Sequence, residues 1–214
     1  ISASDIYQNE TDPLCTEASE LSNYNFTLDD GANLLSFPYL SNEDASIETI
    51  FNSIVLDTDG IISEGVASSY NPVLGWTGTI DYIERDKGYW VKVILEDDMG
   101  SLNFAVSGIE TDHSMMYYLH DGANLVSYIG PDNINVGDAI PDSIEEHFEA
   151  IIGQGVAASP DPILGWVGSL SMFNIGKGYW IKVDPDITYL EMIWNSDNTA
   201  SSRASNNIAD MHSD

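Results

Sequence analysis

The chain repeats itself, and this constrains its fold more than any other feature of the sequence. One segment recurs 91 residues later, and four more recur 90 residues later in the same order. The matching segments are 30–34 and 121–125, 65–67 and 155–157, 74–76 and 164–166, 87–90 and 177–180, and 92–93 and 182–183. Because chance does not place so many Trp and Gly identities in one order, the sequence predicts two tandem copies of one small domain. We place repeat 1 at 23–110 and repeat 2 at 114–194, between a polar N-terminal arm, 1–22, and a polar C-terminal tail, 195–214.

Each repeat reads as several antiparallel strands with one short helix, a β-rich α+β domain. Tyr24, Phe26 and Leu28 alternate with polar residues, which is typical of a strand. Apolar residues at helical spacing predict the helix over 46–54 in repeat 1 and over 143–151 in repeat 2. In this alignment of the two predicted helices, 46–48 matches 143–145 and His147 takes the position of Ile50. The loops that connect the helix to its neighbours then differ in length between the copies.

The charge balance excludes several classes of partner. There are 35 Asp and Glu residues against 6 Lys and Arg, a net charge of −29. Phosphate binding and attraction to anionic lipid both need basic residues, so we expect neither a nucleic-acid partner nor binding to an anionic membrane surface. We also expect no membrane insertion, because no apolar run approaches the roughly 18 residues needed to span a bilayer. At 43% hydrophobic residues the chain can still build a core. The single cysteine, Cys15, cannot form an internal disulfide.

Lysine and tryptophan occupy repeated positions that form a candidate ligand-binding surface. Trp90 and Lys92 should share one face of a strand, and Tyr89 should point to the other. Trp180 and Lys182 repeat this arrangement. One interpretation is packing of the lysine stem on the indole while the ammonium meets a carboxylate; the other is a ligand platform.

Two further features have both a structural and a functional interpretation. Trp76 and Trp166 follow glycines in turns, where an indole either closes one end of a core or stacks on a sugar ring. Asp57 and Asp59 resemble part of a calcium loop, but Val55 stands where that loop needs another Asp, so a solvated turn is the alternative and calcium is a weak cofactor candidate.

Catalytic constellations are not found in the sequence. The four histidines lack metal-ligand spacing, Cys15 has no neighbouring His, and no nucleophile elbow or phosphate-cradling loop occurs. We therefore expect a protein that is not an enzyme and that uses no obligatory cofactor.

The repeated motifs resemble a known module. Along each repeat the motifs run in the order Gly-Ala-Asn-Leu, a short helix, Gly-Trp-x-Gly, and Lys-Gly-Tyr-Trp-x-Lys-Val. It is similar to modules of marine phage structural proteins, often tail-fibre-like, and of bacterial secreted surface proteins. Ala32 and Ala123 depart from the Trp that is frequent in that family, and Asp86 departs from its Gly.

The resemblance implies a structural or recognition module and supplies no catalytic residue. The expected function is that of a virion surface component of a marine phage: a fibre, spike or capsid decoration. Its partners would be other structural proteins of the assembly and a host surface glycan. The alternative is a carbohydrate-binding or adhesion module of a secreted bacterial protein. Either way, we expect the chain at a virion surface or outside the cell.

Overall fold

The computed structural model describes residues 21–96 and 100–195, and its architecture is mostly β, which confirms the predicted fold class. Cys15 and nearly all of both polar termini lie outside the described residues. The strands of the first half are β1 Ser22–Leu28, β2 Gly31–Ser36, β3 Tyr39–Leu40, β4 Thr58–Ser63, β5 Val66–Asn71, β6 Gly75–Gly78, β7 Gly88–Val93 and β8 Leu102–Glu110. Those of the second half are β9 Tyr117–His120, β10 Gly122–Ser127, β11 Ile134–Asn135, β12 Phe148–Gly153, β13 Val156–Asp161, β14 Gly165–Gly168, β15 Met172–Phe173, β16 Gly178–Val183 and β17 Tyr189–Met192.

Helices are few and short. Helix α1 spans Ile47–Phe51 and continues into a 3-10 turn, Asn52–Ile54. Helix α2 spans Val136–Ala139, and a separate 3-10 turn spans Glu145–His147. In the described part of the chain, no helix has both the length and the apolar character to cross a membrane.

Two five-stranded antiparallel sheets form the centre of the structure. Their strand orders are β2-β7-β4-β5-β6 and β10-β16-β12-β13-β14. Ala32 pairs with Lys92 in the first sheet as Ala123 pairs with Lys182 in the second. The two sheets therefore share strand order and register at the positions that the sequence matches. Smaller sheets, β1-β8-β3, β9-β17 and β11-β15, complete the fold.

Each five-stranded sheet buries one face against its own aromatic core. Along β7 the side chains of Tyr89, Val91 and Val93 are buried, as strand alternation requires. In repeat 1 the rings of Phe51 and Phe104 stack with centroids 5.3 Å apart. The buried residues of the second half form a separate cluster around Tyr128, Phe173, Tyr179 and Trp194. The buried apolar residues thus form two distinct clusters, one in each half of the chain.

The helix predicted over 46–54 is present, whereas the helix predicted over 143–151 is wrong. That segment holds the 3-10 turn and the start of β12. Phe148 and Ile151 are both buried at a helical spacing because a β-bulge at Glu149 inserts one residue between them and shifts the strand alternation. A bulged strand thus produces the apolar spacing that normally indicates a helix.

The true counterpart of α1 is α2, which begins 89 residues later. Ser46 and Asn135 cap the two helices through their side-chain oxygens. Helix α2 ends early because Pro141 forces Ile140 into an extended conformation. The predicted matching of 46–48 with 143–145 and the pairing of His147 with Ile50 are therefore wrong, and the connecting loops differ in length by less than that matching implied.

The two repeats contact each other where β2 and β7 meet β10 and β16. A side chain at Gly178 would place its Cβ 2.7 Å from the carbonyl oxygen of Leu35 and 3.2 Å from the Cα of Gly88. At Gly88, a Cβ would lie 2.8 Å from the carbonyl oxygen of Val126. Glycine at both positions allows the two backbones to approach this closely.

Paired backbone hydrogen bonds cross this interface. The amide of Ser36 donates to the carbonyl of Gly176 at 3.0 Å, and that of Ser127 donates to the carbonyl of Asp86 at 3.0 Å. The Ser36 and Ser127 hydroxyls also donate, to the carbonyls of Lys177 and Arg85, at 2.8 and 2.7 Å. The backbone hydrogen bonds join matching positions, since 36 matches 127 and 86 matches 176, whereas the carbonyls that accept from the two hydroxyls do not match. The contact is therefore close to two-fold symmetric in its backbone hydrogen bonds.

Candidate ligand-binding surfaces

The predicted tryptophan–lysine pairs lie on the sheet face opposite the cores. Tyr89 is buried, Trp90 is half-buried and Lys92 is exposed, in the order that strand alternation predicts. The Lys92 ammonium donates to a carboxylate oxygen of Asp59 at 2.7 Å. This hydrogen bond raises the pKa of Lys92. In repeat 2 the ammonium of Lys182 forms an ion pair with Glu149.

The carboxylate partner in each repeat is the extra residue of a β-bulge. Asp59 lies between Thr58 and Gly60, where the register of β4 against β7 shifts. Glu149 occupies the same place in β12. A bulge re-aims the side chain of its extra residue, which here brings a carboxylate to the lysine. Both ammonium groups thus have a carboxylate partner, as the structural interpretation of these positions requires.

A shallow depression of about 390 Å³ lies beside this ion pair in repeat 1. Lys92 and Asp59 line it together with small residues such as Gly60 and Ala67. Ile62 is 54% exposed on the same face. The depression is open and its one cation is already paired, so it offers weak recognition chemistry.

Trp76 and Trp166 pack against the two cores. The Trp76 ring lies 5.9 Å from that of Phe51, and Trp166 packs against the core of repeat 2. The Trp166 indole donates to the carboxylate of Glu145. The Trp76 Nε1, by contrast, is buried without a hydrogen-bond partner in the described chain. This packing favours the core-closing interpretation of both indoles.

Asp57 and Asp59 do not converge on a common site. The Asp57 carbonyl accepts a hydrogen bond from the amide of Ile94 at 2.8 Å, and the Asp59 carboxylate is held by Lys92. Among residues 21–96 and 100–195, no three His, Cys, Asp or Glu side chains gather closely enough to hold a metal ion.

The tips of two hairpins present a surface that the sequence analysis missed. Val73 and Leu74, between β5 and β6, are 89% and 72% exposed, and Ile163 and Leu164, between β13 and β14, are 89% and 74% exposed. We call these four residues the apolar tips. The repeated pattern of Pro, two aliphatic residues and Gly, between polar strands, was the signal that could have found them.

Each apolar tip is held in a fixed conformation. The Asn71 side-chain oxygen accepts from the amides of Val73 and Leu74 at 2.8 and 3.1 Å. Asp161 does the same for Ile163 and Leu164 at 2.9 Å each, and these bonds lower the pKa of Asp161. The following glycines, at positions 75 and 165, have φ of +76° and +73°, as a three-residue hairpin loop requires.

The structure also contains two clefts at matching positions, which the sequence analysis missed as well. The acidic cleft, about 510 Å³, is lined by Ser63, Glu64, Asp81, Glu84, Lys87 and Tyr89, among others. The amide cleft, about 470 Å³, is lined by Asn133, Gln154, Ser171, Asn174, Lys177 and Tyr179, together with Asp29 of repeat 1. Only the tertiary structure forms these clefts. The amide cleft includes residues of both repeats, and the acidic cleft, which residues of repeat 1 line, adjoins repeat 2 through Glu64.

One residue of each cleft ties the repeats together. In the amide cleft, the Gln154 side chain accepts from the amide of Leu34 at 2.9 Å and donates to the carbonyl of Ala32 at 3.2 Å. It therefore closes the free edge of β2. In the acidic cleft, Glu64 accepts from the amide of Leu125 at 3.0 Å.

A histidine joins Glu64 at the rim of the acidic cleft. The His120 Nε2 lies 2.5 Å from the other carboxylate oxygen of Glu64, and its Nδ1 lies 2.5 Å from the carbonyl of Asp121. Hydrogen bonding to Asp121 and then to Glu64 raises the pKa of His120. Glu64 and His120 line a separate small cavity of about 180 Å³, together with Asp86 and Lys87.

Comparison of the chain with protein-family models, with curated proteins and with solved structures finds no match.

Proposed function

We propose that this chain is a non-enzymatic structural or recognition protein of an extracellular assembly, and specifically a surface component of a marine phage virion such as a fibre, spike or capsid decoration. The observation that carries the proposal is the pair of preformed apolar tips, at matching positions on a body with a charge of −29. The virion setting rests on the motif resemblance described above.

The apolar tips support docking to another protein. Burying one Val, Leu or Ile side chain contributes roughly 1.5–3 kcal/mol, so four of them supply a substantial part of a binding free energy. Because the hairpin loops are already fixed by Asn71 and Asp161, little conformational freedom is lost on binding. Exposed aliphatic pairs in matching places are therefore best explained as contact points.

Charge selects the kind of partner. Two copies of this chain repel each other, so self-association through the tips is disfavoured. The occupant that we propose is a structural protein of the assembly that offers an apolar pocket with a basic rim. A basic rim would also speed association, because it is attracted over long range to this acidic chain.

The test is to isolate extracellular particles from a culture that produces this chain and to quantify the chain in them by mass spectrometry. We expect a stoichiometric amount in the particles. Recombinant chain should compete for incorporation, whereas a variant with serine at positions 73, 74, 163 and 164 should not. Leu56→Ser, at a single leucine that is 82% exposed elsewhere, is the matched control and should compete normally. A chain found only free in the medium, or equal competition by the four-serine variant, would overturn the proposal.

A second candidate function is that of a carbohydrate-binding module. The amide cleft favours it, because its lining combines uncharged hydrogen-bonding side chains with apolar surface.

A further inference from the structure

The two clefts occupy matching positions but differ in charge. Glu64, Asp81 and Glu84 of the acidic cleft correspond to Gln154, Ser171 and Asn174 of the amide cleft. Three carboxylates in one cleft are thus replaced by two amides and a hydroxyl in the other. In a chain with 35 acidic residues, this makes the amide cleft an unusually neutral part of the surface.

Four polar side chains of the amide cleft are free to bind a ligand, whereas Gln154 and Tyr179 are already hydrogen-bonded. The side chains of Asn133, Ser171, Asn174 and Lys177 make no hydrogen bond or ion pair with any described residue. In the acidic cleft, by contrast, the Lys87 ammonium lies 3.7 Å from Asp86, and Glu64 is shared between Leu125 and His120. Glycine replaces Asp86 at the position that precedes Lys177, which leaves that ammonium without a carboxylate partner.

The loop that carries these groups is held from both repeats. The amide of Asn174 donates to the Tyr179 hydroxyl at 3.0 Å, and that of Ile175 donates to Asp132 at 2.8 Å. From repeat 1, the Tyr24 hydroxyl donates to the carbonyl of Ile175 at 2.6 Å, and Ser36 donates to the carbonyl of Lys177 at 2.8 Å. The backbone that carries Asn174 and Lys177 is therefore fixed before any ligand arrives, which reduces the entropy lost on binding.

The cleft also offers apolar surface of a suitable size. Met172 is 46% exposed and lines the cleft with Val156 and the buried Leu170. A volume of about 470 Å³ lies in the usual range for small-molecule sites, which combine apolar walls with a few polar groups.

We propose that the amide cleft binds a neutral saccharide unit. Sugar hydroxyls both donate and accept hydrogen bonds, which matches the amides of Asn133 and Asn174, the Lys177 donor and the Asp29 acceptor. The C–H face of the ring would lie on Met172. An anionic ligand would be repelled by Asp29 and by the net charge of −29, and a cationic ligand would be repelled by Lys177, so a neutral ligand fits best.

This inference deepens the recognition part of the proposed function. Its test is an array of neutral and acidic oligosaccharides, followed by an amide-resolved NMR titration with the neutral oligosaccharide that binds best. We expect binding to neutral glycans, with shifts at Ser171, Asn174 and Lys177. Asn174→Glu, which installs the residue of the acidic cleft, and Lys177→Met should each weaken binding at least about 10-fold.

The matched control is Glu84→Asn, which makes the equivalent change in the acidic cleft and should leave binding unchanged. The four-serine tip variant should also bind glycan normally, so failure of the docking proposal and failure of this one are distinguishable. No neutral glycan bound, preference for acidic glycans, or binding that survives Asn174→Glu but is lost in Trp90→Ala would each overturn the inference.

Discussion

At the scale of single residues, the contact between the repeats depends on two glycines. Gly88 and Gly178 lie where the backbones of the two repeats come closest, and each faces a carbonyl oxygen of the other repeat at a distance that leaves no room for a methyl group. The nearest atom in each case is a backbone carbonyl oxygen, which cannot move aside as a flexible side chain would.

Gly178→Ala should destabilise the protein by about 1–3 kcal/mol, because overpacking at a close backbone contact forces the structure to shift. Chemical denaturation gives the free energy of unfolding. Gly100→Ala is the matched control, since nothing lies within 4 Å of a Cβ there, and it should stay within about 0.5 kcal/mol of the parent. Equal stability of the two variants would show that the repeats do not pack as described.

Trp76 and Trp166 form a second natural comparison. Replacing either indole with phenylalanine removes similar volume from a core edge, but only Trp166→Phe breaks a hydrogen bond, the one to Glu145. We expect Trp166→Phe to cost about 1 kcal/mol more in unfolding free energy than Trp76→Phe. A larger loss for Trp76→Phe would mean that its indole nitrogen has a partner in solution.

At the scale of elements, the edge strands β2 and β10 are closed by side chains of the opposite repeat. Exposed strand edges invite unwanted pairing, and a side-chain amide can satisfy both a donor and an acceptor of such an edge. Gln154 does so for β2, whereas Glu64 offers only acceptors to β10.

Gln154→Ala should therefore destabilise the protein by about 1–2 kcal/mol, because it leaves the amide of Leu34 and the carbonyl of Ala32 without partners. Hydrogen exchange resolves the effect: the Leu34 amide should exchange faster, and the Leu125 amide, which Glu64 holds, should not. Unchanged protection at Leu34 would contradict the assigned contact.

At the scale of the whole molecule, the contact between repeats responds to pH. The pKa of His120 is raised above its ordinary value of 6.5. A raised pKa means that the protonated form is favoured in the folded state, so the stabilisation is fully present below pH 6.5 and is lost as the pH rises through the folded-state pKa.

We expect thermal stability to fall as the pH rises above about 6.5, through a range in which carboxylates and lysines hardly titrate. His120→Asn and Glu64→Gln should each flatten this dependence, and Glu64→Gln additionally reproduces the amide found at the equivalent position in repeat 2. Thermal melts across this range measure the effect. A parent curve that is flat, or a slope that survives both substitutions, would remove His120 from this role.

Net charge also acts on the molecule as a whole. At −29 the folded chain repels itself, and salt screens this repulsion, since the Debye length falls from about 30 Å at 0.01 M to about 3 Å at 1 M. The melting temperature should rise as NaCl increases over that range. Melts in calcium chloride at the same ionic strength separate screening from direct binding. A larger rise of the melting temperature in calcium than in sodium would indicate binding at carboxylates such as Asp57 and Asp59. A melting temperature that is flat or falls with NaCl would contradict the electrostatic argument.

Local pattern predicted most of the β-rich fold and failed where the tertiary pairing overrides it. The alternation around Trp90 and Lys92 gave the correct faces, because side-chain direction along a regular strand follows from the backbone alone. The spacing of Phe148 and Ile151 gave a wrong helix, because a bulge exists only in relation to a partner strand. The carboxylate partners Asp59 and Glu149 could not be predicted for the same reason.

Local periodicity, capping and composition were enough to predict the β-rich class, the matching order of motifs, the short helix after Ser46 and the acidic surface. The tertiary structure was needed to show how the repeats meet, which glycines allow that contact, and that residues of both repeats line the amide cleft. These features join residues that are far apart in the sequence, such as Leu34 with Gln154 and Ser36 with Lys177. No local pattern encodes such pairs, because their energy comes from packing between surfaces that exist only after each repeat has folded.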